Sequence, residues 1–200
     1  MHSMKKNKCF LIIFLILTQF FISSNVLSKT LKIGNENAKI TVKVFSSLTC
    51  PHCASFHKKI FEKLKVNYID TDKVKFEHHA FPLDLAALNA EKIVRCASTP
   101  EAKFQLLHKI YDEQKNWAVG SDIKKINETL IKIGVESRVE KSKLKKCLEN
   151  EVSQDMILKE RIEAQKKFNI TSTPTIYINE KKYEDKHEFK SFKRQIDKLL

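Results

Sequence analysis

The sequence predicts an α/β domain whose two strand-and-helix halves are separated by a block of helices. Three observations predict it. A β-branched run, Ile40 to Ser46 (ITVKVFS), leads straight into Cys50-Pro51-His52-Cys53 and a helical stripe. Residues 85–168 carry helical periodicity throughout, and strand character returns only at Thr175 to Ile178 (TIYI) before a last helical segment.

Taken in order, the chain opens with Lys5, Lys6 and Lys8 ahead of an apolar run from Phe10 to Ile22. That run is about as long as a signal-peptide core and short of the ~20 residues that span a bilayer. Val26-Leu27-Ser28 ends on a small residue, so residues 1–28 read as a signal peptide and the mature chain starts near Lys29. An uncleaved membrane anchor is the alternative. Cys9 precedes the apolar core and departs with the leader. Of 200 residues, removing 28 leaves 172, enough for one domain with a sizeable core. The leader takes three lysines and no acids with it, so the net charge falls from +13 to +10. The basic residues are mostly lysines interleaved with acids, as at 124–125, 145–146 and 166–167. They read as solvated faces, and no nucleic-acid partner is expected.

The first half, residues 29–84, comprises the strand at 40–46, the helix opened by Pro51 with Phe56, Ile60 and Leu64 on one face, and a strand from Val74 to Ala80. Phe81-Pro82-Leu83-Asp84 breaks that strand. In the insertion, residues 85–168, Thr99-Pro100-Glu101 and Ser121-Asp122 open helices. Ile123, Ile126, Leu130 and Ile133 form a stripe that Gly134 is expected to terminate, and Leu144, Cys147 and Leu148 share another face. A long helix runs from about Val152 to Phe168. In residues 169–200, Lys182 to Glu184 are expected to pair with the strand at 175–178, and Glu188 to Leu200 closes as a helix.

An exported chain meets oxidising conditions, where disulfides persist. Cys50 sits where a helix begins, so unpaired backbone N–H groups and the positive end of the macrodipole stabilise its thiolate. The His52 side chain is expected to act on the same sulfur, lowering its pKa further. Cys53 lies one turn deeper and suits a resolving thiol. Two other readings of CxxC are a zinc site using His57, His78 or His79, and a structural staple. A second CxxC or a spaced histidine pair is missing for the first, and the tiny loop makes the second weak.

Cys50-Pro51-His52-Cys53, with His78 to Asp84 (HHAFPLD), Asp112 to Trp117 (DEQKNW) and Thr173-Pro174-Thr175, resembles the DsbA-like thiol:disulfide oxidoreductases over nearly all of the mature chain. The resemblance implies a thioredoxin fold with a helical domain inserted between its βαβ and ββα halves. It also implies a cis Pro174 beside Cys50, with the Thr173 backbone pairing with substrate. Catalytic residues would be Cys50, Cys53, His52 and Pro51; no cofactor and no metal are implied. The expected activity is the introduction of disulfides into reduced exported proteins in the periplasm by a monomer, with reoxidation by a DsbB-like membrane partner. One departure stands out: Val44 occupies the position, six before the first cysteine, where many relatives hold a buried acid.

The resemblance further supports a bridge between Cys96 and Cys147 in the helical domain, closing a loop of about 50 residues and stabilising by roughly 4 kcal/mol on the chain-entropy estimate. Two buried free thiols remain the other reading. Among competing functions, a disulfide isomerase usually has an N-terminal dimerisation domain, and only about ten residues separate Lys29 from the expected first strand. An exported reductase commonly has Trp before the first cysteine, where this chain has Thr49, and lacks a large insertion. A metal-binding chaperone is the reading from another class. His57 is expected at the surface, while His78 and His79 are expected to be satisfied structural residues. Trp117 and the phenylalanines at 56, 61, 81 and 104 are expected in the core.

Overall fold

The computed structural model describes residues 30–200; the leader expected at 1–28, with Lys29, lies outside them. Two strands open the described chain, β1 (Leu31–Ile33) and β2 (Ile40–Ser46). Helix α1 covers residues 51–69. It alternates α-helical Pro51–Phe56 and Glu62–Leu64 with π-helical His57–Phe61 and Lys65–Ile69. β3 (Val74–Ala80) follows. The insertion comprises α2 (Leu85–Arg95), α3 (Pro100–Asp112), α4 (Gln114–Trp117), α5 (Ile123–Glu136), α6 (Lys141–Glu149) and α7 (Glu151–Phe168). The chain ends in β4 (Thr175–Ile178), β5 (Lys181–Lys182) and α8 (Phe189–Asp197).

The sheet runs β1-β3-β2-β4-β5. β2 pairs parallel with β3, Val44 opposite His78, and antiparallel with β4, Val44 opposite Ile176. A parallel pair needs a crossover, and α1 supplies it. Side chains on β2 alternate between two cores, as the pleat requires. Val42 and Val44 face the large cluster that holds Phe56, Ile60 and Leu64, whereas Phe45 faces a smaller one with Phe81, Ala164 and Ile170 under α7. α8 packs beside α1 through Phe192 on Phe56, ring centroids 5.7 Å apart, and the Tyr68 hydroxyl donates to Asp197 at 2.7 Å.

Four expectations are corrected. β1 lies within the stretch read as a short lead-in. Three residues carry no usable alternation, and the strand exists because it pairs antiparallel with β3, Lys32 opposite Glu77. Gly134 does not end its helix, which runs on to Glu136. A Cβ there would stand 2.7 Å from Leu144 Cδ2, so this glycine admits a close approach of α6 to α5. The strand pairing after the Asn179-Glu180 turn starts one residue earlier than expected, Lys181 opposite Ile178 and Lys182 opposite Tyr177, and the Tyr183 N–H donates to the Ile176 carbonyl at 2.8 Å, with Asn179 at φ 54 turning the chain. α8 stops at Asp197, short of Leu200. Elsewhere Thr99 and Asp122 cap α3 and α5 by accepting from Ala102 N–H and from Lys124 and Lys125 N–H. Trp117 and the four phenylalanines are buried. The lysine pairs at 124–125, 145–146 and 166–167 are exposed.

Cys96 and Cys147 form a disulfide, Cα atoms 6.0 Å apart, joining the end of α2 to α6. Beside it the Lys92 ammonium donates to the Leu148 carbonyl. Deeper in the insertion, His78 of β3 meets Glu91 of α2 at 3.1 Å, Arg95 bonds Glu91 at 3.1 Å, and its guanidinium reaches Glu160 of α7 at 2.6 Å. Burial pushes the Glu91 carboxyl up, but His78 and Arg95 outweigh it and hold the group down to about 2. This buried network ties sheet, α2 and α7 together.

Candidate active site

β2 delivers the chain to the carboxyl end of the sheet, where residues 47–50 turn into α1. Cys50 is the N-cap residue, with extended backbone (φ −78, ψ 119), and Pro51 takes the first helical position without losing a hydrogen bond. The Cys50 carbonyl accepts from Cys53 N–H at 3.1 Å and Ala54 N–H at 3.2 Å. The free amides of the first turn therefore point toward the Cys50 side chain.

Cys50 and Cys53 are both free thiols, 8% and 1% exposed. The hydrogen bond from the Cys53 thiol is the largest influence on Cys50. Burial opposes it, and Thr173 and the backbone N–H groups of Cys53 and His52 reinforce it. The outcome is a Cys50 thiol lowered from an ordinary 9.0 to about 5. Cys53 moves the other way: burial, the bond with Cys50 and the charge on Cys50 push its thiol far up. Two chemically identical side chains three residues apart thus become a stable thiolate and a firmly protonated thiol.

The wall opposite Cys50 comes from the distant loop before β4. The Cys50 thiol meets the Thr173 carbonyl at 3.3 Å, and the Thr173–Pro174 peptide is cis. Thr175 Oγ1 donates to the Ser172 carbonyl at 2.7 Å and braces the loop. Pro51 and His52 are exposed at the mouth of the site. No side-chain contact joins His52 to the Cys50 sulfur. His52 acts there through its backbone N–H, and His187 has its pKa lowered by burial and then by the His52 charge.

Two supports were not foreseen in the sequence. Gln114, buried in α4, donates from Nε2 to the Leu48 carbonyl at 2.7 Å and to the Cys50 carbonyl at 3.1 Å. The insertion thereby grips the active-site turn directly. Asp84 accepts from Thr49 Oγ1 at 2.7 Å and caps α2 through Ala87 N–H at 2.7 Å. Both lie within the segments HHAFPLD and DEQKNW, which carried the family resemblance without revealing what they bind.

His57 is a further correction. It is 3% exposed rather than a surface residue. Four residues after Cys53 it shares the buried face of α1, and α3 covers that face. His78 bonds Glu91, and His79 bonds Glu77 at 3.0 Å. Among the described residues no three His, Cys, Asp or Glu side chains converge to hold a metal ion. Val44 is buried in the same core cluster as Cys53 and brings no ionisable group to it.

A family model described as thioredoxin matches residues 27–198. A Rickettsia bellii protein provisionally named a protein-disulfide oxidoreductase is 31% identical over 84% of this chain and 63% of its own length. The match to a similarly named Rickettsia conorii protein, 30% identical over 74% of this chain, covers 52% of that relative. The chain thus spans about half to two thirds of these relatives. Disulfide bond formation protein D of Bacillus subtilis is 28% identical, over 84% of this chain and 76% of its own. Among solved structures, Wolbachia pipientis alpha-DsbA1 superposes with a TM-score of 0.79 at 29% identity, covering 86% of this chain and 92% of that one. Oxidised BdbD of Bacillus subtilis superposes at 0.75 and 23% identity, covering 85% and 92%, a likeness of fold.

Proposed function

The chain belongs to the thioredoxin family, in its DsbA-like branch, and from that premise we propose that it is an exported dithiol oxidase acting through Cys50 and Cys53. The observation that carries this reading is the opposed tuning of the two thiols, Cys50 lowered to about 5 and Cys53 raised. A stabilised Cys50 thiolate favours the reduced pair, which makes the disulfide form a stronger oxidant.

In the reaction a substrate thiolate attacks Cys50 Sγ. The Cys50–Cys53 bond breaks, its electron pair moves to Cys53, and a mixed disulfide forms at Cys50. A second substrate thiolate then attacks the substrate sulfur of that bond. Cys50 departs as a thiolate, for which its low pKa makes it a good leaving group. The substrate has lost two electrons and the enzyme holds them as a dithiol. Thr173 and Pro174 line the substrate side of Cys50, where the Thr173 backbone would pair with an extended segment. The leader expected at 1–28 would direct the chain to the periplasm, where reduced exported proteins are the substrates. A DsbB-like membrane partner would restore the disulfide.

Titration of the Cys50 thiolate absorbance against pH, joined to a glutathione redox equilibrium, tests this reading. The expected result is a midpoint near 5 and a pair well to the oxidising side of glutathione. A cysteine that titrates ordinarily, in a pair as reducing as thioredoxin at about −270 mV, would overturn it.

A further inference from the structure

The sheet order sets two loops on opposite sides of the turn that carries Cys50, because β2 lies between β3 and β4. On one side β4 begins at Thr175, opposite Phe45, so Thr173 and Pro174 flank the turn there. On the other side β3 ends at Ala80, opposite Ser46, and Phe81-Pro82-Leu83-Asp84 leads into α2. Leu83 and Leu85 are 52% and 51% exposed. Single exposed leucines are ordinary on a protein surface. These two stand one residue either side of Asp84, whose carboxylate meets Thr49, the residue next to Cys50.

The segment is fixed to the turn along its length. Phe81 N–H donates to the Ser46 carbonyl at 2.8 Å, Leu83 N–H to Ser47 Oγ at 3.3 Å, and Thr49 Oγ1 to Asp84 at 2.7 Å. Ser47 Oγ and Thr49 Oγ1 are themselves 3.1 Å apart. The Phe81 ring is buried with Phe45, Ala164 and Ile170, and the Arg161 guanidinium lies 5.1 Å from its centre. The two leucines are therefore carried on backbone that binding need not order, which removes one of the main costs of association. Both Asp84 oxygens are occupied, one by Thr49 and one by Ala87 N–H. Its carboxylate stays between the leucines, where it disfavours an approaching acid.

We propose that Leu83 and Leu85 form a specificity ledge for the dithiol reaction proposed above. They take an apolar side chain of the reduced polypeptide whose thiol attacks Cys50, and Asp84 between them turns acidic neighbours away. The inference rests on that reading of the reaction, and the ledge is continuous with the site that any such substrate must reach. A substrate sulfur bonding to Cys50 Sγ fixes the position of its own chain. At about 3.3 Å per extended residue, roughly two to four residues span from the substrate cysteine to the ledge. Backbone pairing at Thr173 holds a chain with little regard to its sequence, whereas side-chain contacts supply the choice. The two loops thus divide the work, hold on the β4 side and selection on the β3 side.

The probes are reduced peptides with a fixed pair of cysteines, differing only in one residue, leucine, serine or aspartate, set two, three or four positions from them. The rate at which each reduces the oxidised protein at pH 7 is followed by acid quench and thiol counting. At one or more of these positions the leucine peptide should react about tenfold faster than the serine peptide, the effect of burying roughly half a leucine side chain, and the aspartate peptide slowest. In the double variant Leu83→Ser, Leu85→Ser the leucine-to-serine ratio should fall below about twofold, with the Cys50 thiolate midpoint in place. Leu83→Ser alone serves if the double variant folds poorly, and each ratio is taken within one preparation, so a misfolded fraction cancels. A wild-type protein without preference at any position overturns the proposal, as does a preference that survives the double variant. Self-association of the wild type in sedimentation, lost in the double variant, would assign the leucines to a second copy and overturn it too. Each ratio compares peptides at the same disulfide, so it stands or falls apart from whether the pair proves oxidising.

Discussion

The two cysteine pairs of this molecule share an element and little else. Cys50 and Cys53 enclose two residues at the mouth of a helix, face an exposed proline and histidine, and differ sharply in proton affinity. Cys96 and Cys147 are 51 residues apart and join α2 to α6 inside the insertion. The first pair hardly constrains the unfolded chain, so its bond is free to be spent in exchange. The second closes a long loop, where removal from the unfolded ensemble of many conformations is worth the most. Loop length and local electrostatics, rather than the sulfur itself, divide reagent from staple.

The widest gap between the pairs should open with Cys50→Ser. Oxidation of a reduced dithiol peptide should be abolished, whereas the serine variant should unfold in urea within about 1 kcal/mol of wild type, as expected away from a core or network lesion. Residual turnover would mean that Cys53 can exchange alone. Replacing Cys96 and Cys147 with alanine together should do the converse. Urea unfolding should lose roughly 4 kcal/mol, with the dithiol oxidation rate changed less than about threefold. A larger loss of rate would show that the staple also shapes the reagent.

Gln114→Leu tests the contact through which the insertion could couple the two. It strips the Leu48 carbonyl of its 2.7 Å partner and removes one of three bonds to the Cys50 carbonyl. The expected cost is about 1–3 kcal/mol in urea, with the Cys50 midpoint moving upward as the turn loosens. An unchanged midpoint would confine Gln114 to stability.

The smallest effect concerns acid. Glu91 has a folded pKa of about 2 against an ordinary 4.5. Its ionised form is favoured in the native state, so its contribution is full above 4.5 and is lost as pH falls toward 2. Glu91→Gln should therefore flatten the fall in unfolding free energy across that window while leaving the Cys50 titration in place. A Cys50 midpoint that shifts with it would tie the network to the active site.

How much of this was legible beforehand varied by element. β2, α1 and β3 announced themselves because each buries a long face at one period, as Val42 and Val44 or Phe56, Ile60 and Leu64 do. β1 has three residues and borrows its identity from β3. His57 was misplaced because exposure of a helix face depends on what packs over it, and α3 arrives from more than 40 residues away. Thiol identity and position at a helix start were plain at Cys50, yet Thr173, which helps lower its pKa, and Gln114, which holds its carbonyl, lie far along the chain.

What the sequence determined by itself was therefore local: the strand-to-helix junction that stabilises a thiolate at Cys50, the deeper position of Cys53, the caps at Thr99 and Asp122, and the order of elements. These follow from hydrogen-bonding groups and periodicities a few residues long. Only tertiary structure decided which distant side chains close around that junction. Burial of Cys53, the Thr173 carbonyl 3.3 Å from Cys50 and the grip of Gln114 all arise where separate elements meet. Desolvation and charge proximity depend on everything within a few ångströms, and no window of sequence records that neighbourhood.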